Sequence, residues 1–525
     1  MLNPSLLKSR SGLIALVTAF FAGASTAGAF APYSWWVIYP LALAFGLYQS
    51  RYLSPKQSLQ YWLSFGFGSF VVGISWVHVS MATYGGMPLI ASMALMALLA
   101  LYLALYPALC GYLLAKLMPN QQASISSTSN YWRFLGLFPA LWVLTEWLRG
   151  WILTGFPWLW AGYSQTNGPL SELASYIGAL GISFVIALCA GALALLVQKK
   201  WLASVVIFPV VTIAVILAPH YNPIHPNGKS INVALVQGNI AQSMKWEPEH
   251  LWPTMLKYMD LTRDHYNHQH DIDLVIWPEA AIPAPEMMVD DFLFTANDSA
   301  NLNQTAIITG IISKKDSGYY NALIVLGNQH KKQQAQGDYQ VNGDNEYLKH
   351  HLLPIGEFVP LEALLRPIAP FFNLPMSSFQ RGQYQQPNLN ALGFKVAPAI
   401  CYEIVFPEQV RANTYADTDV LLTVSNDAWF GTSNGPLQHM EIAQMRAIEM
   451  GKPLLRGTNN GVTAVVDPYG KITQQLPQFE SGVLVQKVAL YRGDTWFKHF
   501  GESPILLLCS LLLLLGVTIK AKAKV

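Results

Sequence analysis

Eight long apolar runs dominate this chain, seven of them in succession within the first 220 residues and one near the C-terminal end. An α-helix needs about 20 mostly apolar residues to cross a bilayer. The runs lie near Leu13–Ala31, Trp35–Gln49, Tyr61–Val79, Pro88–Leu117, Phe134–Ile152, Leu173–Val197, Trp201–Ala218 and Pro504–Ile519. Although the second and the last are short, the pattern predicts a multi-pass membrane domain of about eight helices.

Charged residues are rare in these runs, which argues against the alternative that they are buried core helices of a large soluble protein. Charged residues make up 12% of the chain, whereas soluble proteins carry roughly 25%. In the first 220 residues the only acidic side chains are Glu146 and Glu172. The sequence therefore predicts a transmembrane domain of seven helices at 1–220, a water-soluble domain at 221–500, and a C-terminal transmembrane helix with a short tail at 501–525.

Lys and Arg residues near the ends of the runs predict the orientation, because they are enriched on the cytoplasmic side of membrane proteins. With eight spans, all of these clusters fall on one side, and the loops Pro32–Ser34 and Ser80–Met87 opposite them carry no Lys or Arg. Both termini are then cytoplasmic and the segment from about His220 to Glu502 lies outside. The first run has the alternative of a cleaved signal peptide, but the apolar part of a signal is about 7–15 residues. We interpret the run as a retained anchor.

Glu146 and Arg149 lie three residues apart at the end of the fifth run, in EWLRGWILTGFPWLWAGY. Two interpretations are open. The residues are either a structural pair at the membrane interface, flanked by aromatic side chains, or a polar feature near a substrate entrance, since charges at membrane depth are often functional.

The segment from 221 to 500 shows β-branched and alternating stretches interleaved with helical ones, which is typical of an α/β layer fold. A polar stretch, Gln329–Asn345, indicates a loop or hairpin excursion. Strands are predicted at Ile231–Gln237, Leu274–Trp277, Ala306–Ile312, Ala322–Leu326, Phe394–Ile400, Val420–Val424 and Val462–Val466, and helices at Pro248–Tyr266, Val289–Asn301 and Leu437–Met450.

Three side chains with acid, base and nucleophile chemistry follow predicted strands or precede turns. Cys401 is the lone cysteine between residues 221 and 500, and it directly follows the strand Phe394–Ile400. A thiol becomes a nucleophile only with a base and a positive neighbour; Glu279 after the strand Leu274–Trp277 and Lys349 beside a turn offer these. On the cysteine count alone, an inert buried cysteine is the favoured interpretation of Cys401. For Glu279 and Lys349 taken singly, a surface salt bridge is favoured.

Taken together, these segments resemble the nitrilase superfamily, whose members carry a Glu-Lys-Cys triad in this chain order on an αββα sandwich. The resemblance is closest to the apolipoprotein N-acyltransferase family, which joins eight membrane helices to a nitrilase-like domain inserted between the seventh and the eighth. One departure is His350, where the family pattern has asparagine. The resemblance covers essentially the whole chain, and the shared motifs are QGNIAQSMKW at Gln237–Trp246, WPEAAIP at Trp277–Pro283, KHHLLPIGEFVP at Lys349–Pro360, PFFNLPMSSFQRG at Pro370–Gly382, ICYEIVFP at Ile400–Pro407 and SNDAWFG at Ser425–Gly431.

The resemblance implies an acyltransferase of the bacterial inner membrane with its catalytic domain in the periplasm. A phospholipid, usually phosphatidylethanolamine, would donate its sn-1 acyl chain to Cys401, and the acceptor would be the α-amino group of a diacylated apolipoprotein. Catalysis would use Glu279, Lys349, Cys401 and the further carboxylate Glu357. The family pattern further implies a substrate pocket formed by Trp246, Tyr402, Glu403, Trp429 and Phe430, with core packing an equal alternative for Phe430.

We expect no metal, no cofactor and no nucleic-acid partner, and we expect a monomer. His265, His268 and His270 have a metal-like spacing, but the segment has the character of a solvated helix end, and we interpret it as that and not as a metal site. Three alternatives fit the sequence less well. A membrane-tethered amidase, the runner-up, would use the same triad with water as acceptor, but eight helices exceed what a tether needs. A transporter would need ionisable residues in its helices, which carry almost none, and an intact triad argues against a non-catalytic binding module.

Overall fold

The chain forms two compact units in a computed structural model that describes Leu6 and residues 9–118, 127–266, 271–329, 339–354, 356–358 and 379–522. The first unit comprises Met1–His78, Pro88–Asn222 and Trp496–Val525, and we call it the helical unit. The second comprises Val79–Met87 and Pro223–Thr495, and we call it the sandwich unit.

Apolar helices build the helical unit, and each of the eight predicted runs contains a helix. The principal helices are Arg10–Ser25, Ile38–Ser50, Pro55–Gly73, Leu89–Leu117, Phe138–Arg149, Ala174–Val197, Leu202–Leu217 and Ser503–Lys522, with shorter ones at Ser127–Trp132 and Trp496–Phe500. A further short helix, Val77–Val79, lies where the chain passes from the helical unit to the sandwich unit.

The structure does not confirm the predicted count of eight membrane spans. Within the described residues, four helical stretches are long and apolar enough to cross a membrane, or five if the bent pair Pro55–Gly73 and Val77–Tyr84 is one span. The second predicted span is only the 13-residue helix Ile38–Ser50. The fifth is the 12-residue helix Phe138–Arg149, because a π-type turn precedes it and the chain leaves the helix at Gly150. The several apolar helices are consistent with a membrane protein.

Glu146 and Arg149, whose role the sequence leaves open, both contact the segment that follows their own helix. The guanidinium of Arg149 donates to the carbonyl oxygens of Phe156, at 2.9 Å, and of Trp158. The carboxylate of Glu146 accepts from the Ala161 backbone N–H at 2.8 Å. Both side chains are buried. These contacts favour the structural interpretation, in which the pair holds the segment between residues 150 and 161 against the helix.

Twelve strands in two mixed sheets form the described core of the sandwich unit. The first sheet has the order β12-β1-β2-β3-β4-β5 and the second has the order β11-β10-β9-β8-β7-β6. The strands are β1 His225–Gln237, β2 Leu274–Ile276, β3 Ala306–Lys315, β4 Gly318–Gly327, β5 Glu346–Leu348, β6 Leu389–Ala391, β7 Phe394–Ile400, β8 Val420–Ser425, β9 Leu454–Thr458, β10 Ala464–Val466, β11 Ile472–Gln475 and β12 Gly482–Arg492.

Apolar side chains from both sheets share one buried cluster, including Val233 and Ile276 of the first sheet and Val396 and Val424 of the second. The opposite face of the first sheet packs against the helices Pro248–Tyr266 and Asp290–Leu302. On the second sheet, the helix Gly435–Met450, buried except at Leu437, packs against β9, and the short helix Pro407–Ala412 lies beside it. Helix, sheet, sheet, helix is the αββα order of a nitrilase-like sandwich, and the predicted fold class is confirmed.

All seven predicted strands and all three predicted helices of this unit are present, with ends shifted by a few residues. Five strands had no clear sequence signal. The 3-residue strand β6 and the polar edge strand β11 are too short or too polar to show alternation, and β12 is interrupted by polar residues. For the predicted excursion Gln329–Asn345, residues 330–338 lie outside the described part of the chain. Tyr339, in its described part, is buried and donates to Glu286 Oε1 at 2.7 Å.

Candidate active site

The three candidate catalytic side chains follow the ends of strands in the two facing sheets. Glu279 lies two residues beyond Trp277 after β2, Lys349 directly follows β5, and Cys401 directly follows β7. Glycine permits the close approach of the Glu279 loop, because a Cβ on Gly310 in β3 would lie 2.4 Å from the Ala280 nitrogen and 2.8 Å from the Glu279 Cα. Any larger residue at position 310 would therefore displace Glu279.

Lys349 is held between two carboxylates. Its ammonium lies 3.2 Å from Glu279 Oε1 and 2.8 Å from Glu357 Oε2, and the lysine is 1% exposed. The side-chain amide of Asn321 in β4 donates to both carboxylates, at 2.9 Å to Glu279 and 2.8 Å to Glu357. The Leu353 N–H also donates to Glu357 Oε2 at 2.8 Å. Asn321 and Lys349 thus hold the two carboxylates next to each other. Glu357, which the family pattern implies as a further carboxylate, contacts Lys349 directly.

Cys401 adopts a backbone conformation that is rare for a residue with a side chain. Its φ is +52°, in the left-handed region, at the point where β7 ends and a 3₁₀ turn, Cys401–Val405, begins. Strain of this kind persists only where the surroundings hold it, and it is concentrated at active sites. The Ser425 hydroxyl lies 3.4 Å from the Cys401 Sγ and 2.6 Å from Asp427 Oδ1. The sharp strand-to-turn transition predicted for a nucleophile is therefore present at Cys401.

The charges around the thiol favour a resting state with a neutral Cys401 and an ionised Glu279–Lys349 pair. Burial raises the pKa of Cys401, the Glu279 carboxylate raises it further, and the Lys349 ammonium opposes both. Burial works against the charge of Glu279, but Lys349, the Asn321 amide and Lys245 lower its pKa below the ordinary value. Burial likewise disfavours the Lys349 charge, but the two carboxylates raise the pKa of Lys349. Glu279 and Lys349 therefore carry their charges while the Cys401 thiol keeps its proton.

Glu403 and Tyr402, the residues after Cys401, differ in role. Glu403 is 0% exposed, and its carboxylate accepts from the backbone N–H groups of His350, at 2.8 Å, and Ile400, at 2.8 Å. It thereby ties the segment carrying Lys349 to the strand carrying Cys401. Burial raises the pKa of Glu403, against the backbone N–H donors. The Tyr402 ring packs against Phe406, with ring centroids 5.2 Å apart.

Two further buried residues complete the surroundings of Glu279 and were not singled out from the sequence. Lys245 donates to the backbone oxygen of Glu279 at 3.0 Å, and burial lowers the pKa of Lys245 to about 8. The Asn426 N–H donates to Glu279 Oε2 at 2.9 Å, and its side-chain amide donates to Gln242 at 2.6 Å. Lys245 lies in the motif QGNIAQSMKW and Asn426 lies in SNDAWFG. The motifs therefore marked both segments in the sequence, although they gave neither residue a role. Asn321 had no such signal.

The aromatic candidates follow Lys245 and Asn426, the two residues that bond Glu279, by one to four positions in the chain. Trp246 is partly buried and follows Lys245. Trp429 and Phe430 are partly buried in the 3₁₀ turn Asp427–Phe430. The backbone oxygen of Trp429 accepts from Ser80 at 2.8 Å, and its ring centroid lies 5.8 Å from that of Tyr84, so this turn contacts the segment Val79–Met87 of the same unit.

Among the residues that the structure describes, no group of three His, Cys, Asp or Glu side chains could hold a metal ion. The ring of His265 bonds its own helix, with Nδ1 2.9 Å from the Leu261 oxygen. His268 and His270 lie outside the described residues, as do residues 355, 359 and 360 of KHHLLPIGEFVP and residues 370–378 of PFFNLPMSSFQRG.

Two family models match the chain. The carbon-nitrogen hydrolase model matches residues 232–497, and the apolipoprotein N-acyltransferase N-terminal domain model matches residues 22–192. Similar curated proteins are apolipoprotein N-acyltransferases. That of Shewanella oneidensis is 65% identical, with 97% of this chain and 96% of the relative covered. That of Vibrio cholerae is 49% identical, with 94% of each chain covered. That of Pseudomonas syringae pv. tomato is 39% identical, with 96% of each chain covered.

Proposed function

The chain belongs to the apolipoprotein N-acyltransferase family, and from this membership we propose that it moves an acyl chain from a phospholipid through a thioester on Cys401 to a lipoprotein. The acceptor is the α-amino group of an N-terminal diacylglyceryl-cysteine. The preferred donor position is the sn-1 chain of phosphatidylethanolamine. Family membership supports lipoprotein N-acylation in general, and the donor, the thioester and the ping-pong order are our proposal.

One observation carries the mechanistic part of the proposal. The ammonium of Lys349 is fixed between Glu279 and Glu357 while both its charge and that of Glu279 act on the Cys401 thiol. A thiol with a carboxylate to take its proton and a cation to bind an oxyanion is equipped for acyl transfer.

In the first half of the reaction, Glu279 accepts the proton of Cys401 as the sulfur attacks the ester carbonyl. The tetrahedral oxyanion is stabilised by the Lys349 ammonium and by the backbone N–H of Tyr402, which follows the nucleophile. When the intermediate collapses, the ester C–O bond breaks, Glu279 returns the proton to the lysophospholipid oxygen, and a thioester remains on Cys401.

In the second half, the neutral α-amine of the acceptor attacks the same carbonyl carbon. Glu279 takes a proton from the nitrogen, and a second oxyanion forms at the same position beside Lys349 and the Tyr402 N–H. Collapse breaks the C–S bond, the amide is released, and the thiolate of Cys401 recovers its proton from Glu279. The thioester retains the activation of the ester, so neither ATP nor a metal is needed for this step.

The other candidate residues are assigned supporting roles. Glu357 holds Lys349 in place, and Glu403 holds the Lys349 segment against the Cys401 turn. Tyr402, Trp246, Trp429 and Phe430 shape the acyl-chain pocket.

We propose that the protein acts as a monomer in a bacterial inner membrane with residues 221–500 in the periplasm, where lipid donor and lipoprotein acceptor meet. The distribution of Lys and Arg supports this orientation. A reporter that works only after export should be active when it is fused near Gln333. Activity of a reporter that works only in the cytoplasm, fused at the same position, would contradict the proposed orientation.

The direct test of the proposed function is mass spectrometry of the purified protein after incubation with phosphatidylethanolamine in the absence of acceptor. We expect one acyl adduct on the peptide containing Cys401, and its disappearance with amide formation when a diacylated lipopeptide is added. Acyl release as free fatty acid without an amine acceptor would instead identify a hydrolase.

A further inference from the structure

A second buried polar cluster contacts Cys401 and has no part in the mechanism described above. We call it the support cluster, and it consists of Ser425, Asp427, His439 and Arg456. All four residues are at most 1% exposed. They come from three elements, namely the end of β8 with its following turn, the helix Gly435–Met450 and the strand β9. Burying polar groups costs folding free energy unless their hydrogen-bond partners are fixed. Four such groups against Cys401 therefore indicate a role for the cluster.

The contacts of His439 determine which of its ring nitrogens carries the proton. Its Nε2 lies 3.1 Å from the backbone oxygen of Cys401, and since a carbonyl oxygen only accepts, Nε2 must donate. Its Nδ1 lies 3.1 Å from Arg456 Nη2, and since a guanidinium only donates, Nδ1 accepts. Asp427 Oδ1 lies farther from Nδ1, at 3.3 Å, and accepts the Ser425 hydroxyl at 2.6 Å, so the shorter contact to the Arg456 donor sets the role of Nδ1. Burial, followed by the charge of Arg456, lowers the pKa of His439, which agrees with a neutral ring.

The carbonyl that accepts from His439 is one end of the peptide that joins Cys401 to Tyr402. The other end is the Tyr402 N–H, and the peptide is planar. A donor at the oxygen therefore fixes the direction of the N–H. It also polarises the peptide and makes the N–H a stronger donor, because hydrogen bonds in a chain reinforce one another. This peptide needs such support, because Cys401 has a φ of +52°.

We propose that His439, held in its Nε2–H form by Arg456, is a positioning residue that orients the Tyr402 N–H toward the oxyanion of acyl transfer. The inference rests on the proposed function, since it assumes an acyl oxyanion on Cys401. His439 touches neither substrate nor the reacting atoms; it acts through the peptide bond.

The test uses two amide substitutions of the full-length protein. The glutamine of His439→Gln can place its amide nitrogen near the position of Nε2, whereas the shorter asparagine of His439→Asn reaches only the position of Nδ1. Two reactions of Cys401 are then compared by mass spectrometry of its peptide. Acylation by phospholipid develops an oxyanion, and alkylation by iodoacetamide displaces iodide and develops none.

We expect His439→Asn to lower the rate of Cys401 acylation by about 10²-fold, the typical cost of one oxyanion donor, and His439→Gln to lose about tenfold or less. Both should keep the wild-type rate of alkylation, and the loss should appear in kcat with KM for phospholipid nearly unchanged. Equal losses in the two variants, or acylation and alkylation falling in parallel with thermal stability, would overturn the proposal, because those are the results of a purely structural role.

A second variant covers the case in which neither amide is accommodated. Arg456→Lys keeps a cation near Asp427, but the shorter, non-planar side chain does not place a nitrogen where Arg456 Nη2 donates to both Asp427 Oδ2 and His439 Nδ1, so a smaller selective loss of acylation is expected. Unchanged acylation in this variant would contradict the role of Arg456 in fixing the tautomer. Failure of the proposed function is separable, because the wild type would then show no acyl adduct on Cys401 while its alkylation remained normal.

Discussion

Each unit of the molecule buries a glutamate with a cation, and the two arrangements differ in what satisfies them. In the helical unit, Arg149 is 3% exposed and donates to backbone carbonyls, and Glu146 is 4% exposed and accepts from a backbone N–H. In the sandwich unit, Lys349 is 1% exposed and Glu279 is 8% exposed, and Lys349 is paired with Glu279 and with a second carboxylate.

A buried charge therefore indicates catalysis only through its partners. A guanidinium that caps the carbonyls of one adjoining segment fixes the path of that segment and has no proton to exchange. A lysine between two carboxylates beside a thiol keeps several ionisable groups within reach of one reacting atom, so protons and charge can move between them. The following experiments should separate the two arrangements.

The largest effect is expected for the nucleophile. Cys401→Ala should abolish both the acyl adduct and N-acylation of a diacylated lipopeptide, because the covalent step has no other thiol in the described sandwich unit. The matched control is Cys189→Ala in the helical unit, which should keep full activity. Measurable acyl transfer by Cys401→Ala at normal expression would show that the sandwich cluster is not the reaction centre.

Loss of several orders of magnitude is expected for the charged pair, since members of a catalytic unit fail together. Lys349→Arg should not restore the activity lost in Lys349→Ala, because a planar guanidinium does not fit a site built around a compact ammonium. Glu279→Gln should block thioester formation as well as aminolysis. The rate of acyl-adduct formation with phospholipid alone is the measurement, with Lys315→Arg, a lysine paired with Glu346 on the same sheet, as control.

The mechanism with one shared carbonyl makes a specific demand on these variants. If Lys349→Ala or Glu279→Gln forms the thioester at the wild-type rate and fails only after the amine is added, that residue serves the second half alone. The convergence of charges around Cys401 would then describe an acceptor site and not a common oxyanion site.

Much of the sandwich was predictable because burial and strand alternation leave a direct imprint on sequence. The helix Pro248–Tyr266 and the strand Phe394–Ile400 have the predicted ends. The positions of Glu279, Lys349 and Cys401 after strand ends followed from the same pattern. The predicted count of eight membrane spans stays unconfirmed, because hydropathy does not show where an apolar run leaves the helix, as at Gly150.

The supporting residues of the site were harder to foresee. Asn321, His439 and Arg456 each lie inside a strand or helix, where a single polar residue has no periodic signal and resembles ordinary core polarity. Their partners come from residues up to 42 positions distant, as between Asn321 and Glu279. Only the folded chain brings them together, so the candidate catalytic residues could be named from the sequence, whereas Asn321, His439 and Arg456 could not.

An intermediate, pH-dependent effect is expected for Lys245, the second cation near Glu279. Because the pKa of Lys245 is lowered to about 8, this side chain is charged at pH 7 and neutral above about pH 9. Its positive charge interacts favourably with Glu279 and with a Cys401 thiolate, so Lys245→Met should slow thioester formation at pH 7 by roughly tenfold, the effect of about one pKa unit. The difference between variant and wild type should vanish at high pH. A difference that persists unchanged from pH 7 to 9.5 would assign Lys245 a packing role.

The smallest catalytic effect is expected for the helical unit. Arg149→Met removes the donor to the carbonyls of Phe156 and Trp158, and leaving a buried acceptor unpaired costs about 1–3 kcal/mol. The variant should therefore unfold at a lower temperature in detergent. The rate of thioester formation per folded molecule should stay within about threefold of the wild type, which is less than the tenfold change that corresponds to one pKa unit. Arg51→Met, which removes a cation stacked on Tyr48 and Tyr52, is the control within the same unit and should change stability less. A drop in thioester formation with unchanged thermal stability would give Arg149 a direct part in the reaction, and the distinction drawn here between backbone-satisfied and carboxylate-satisfied charges would fail.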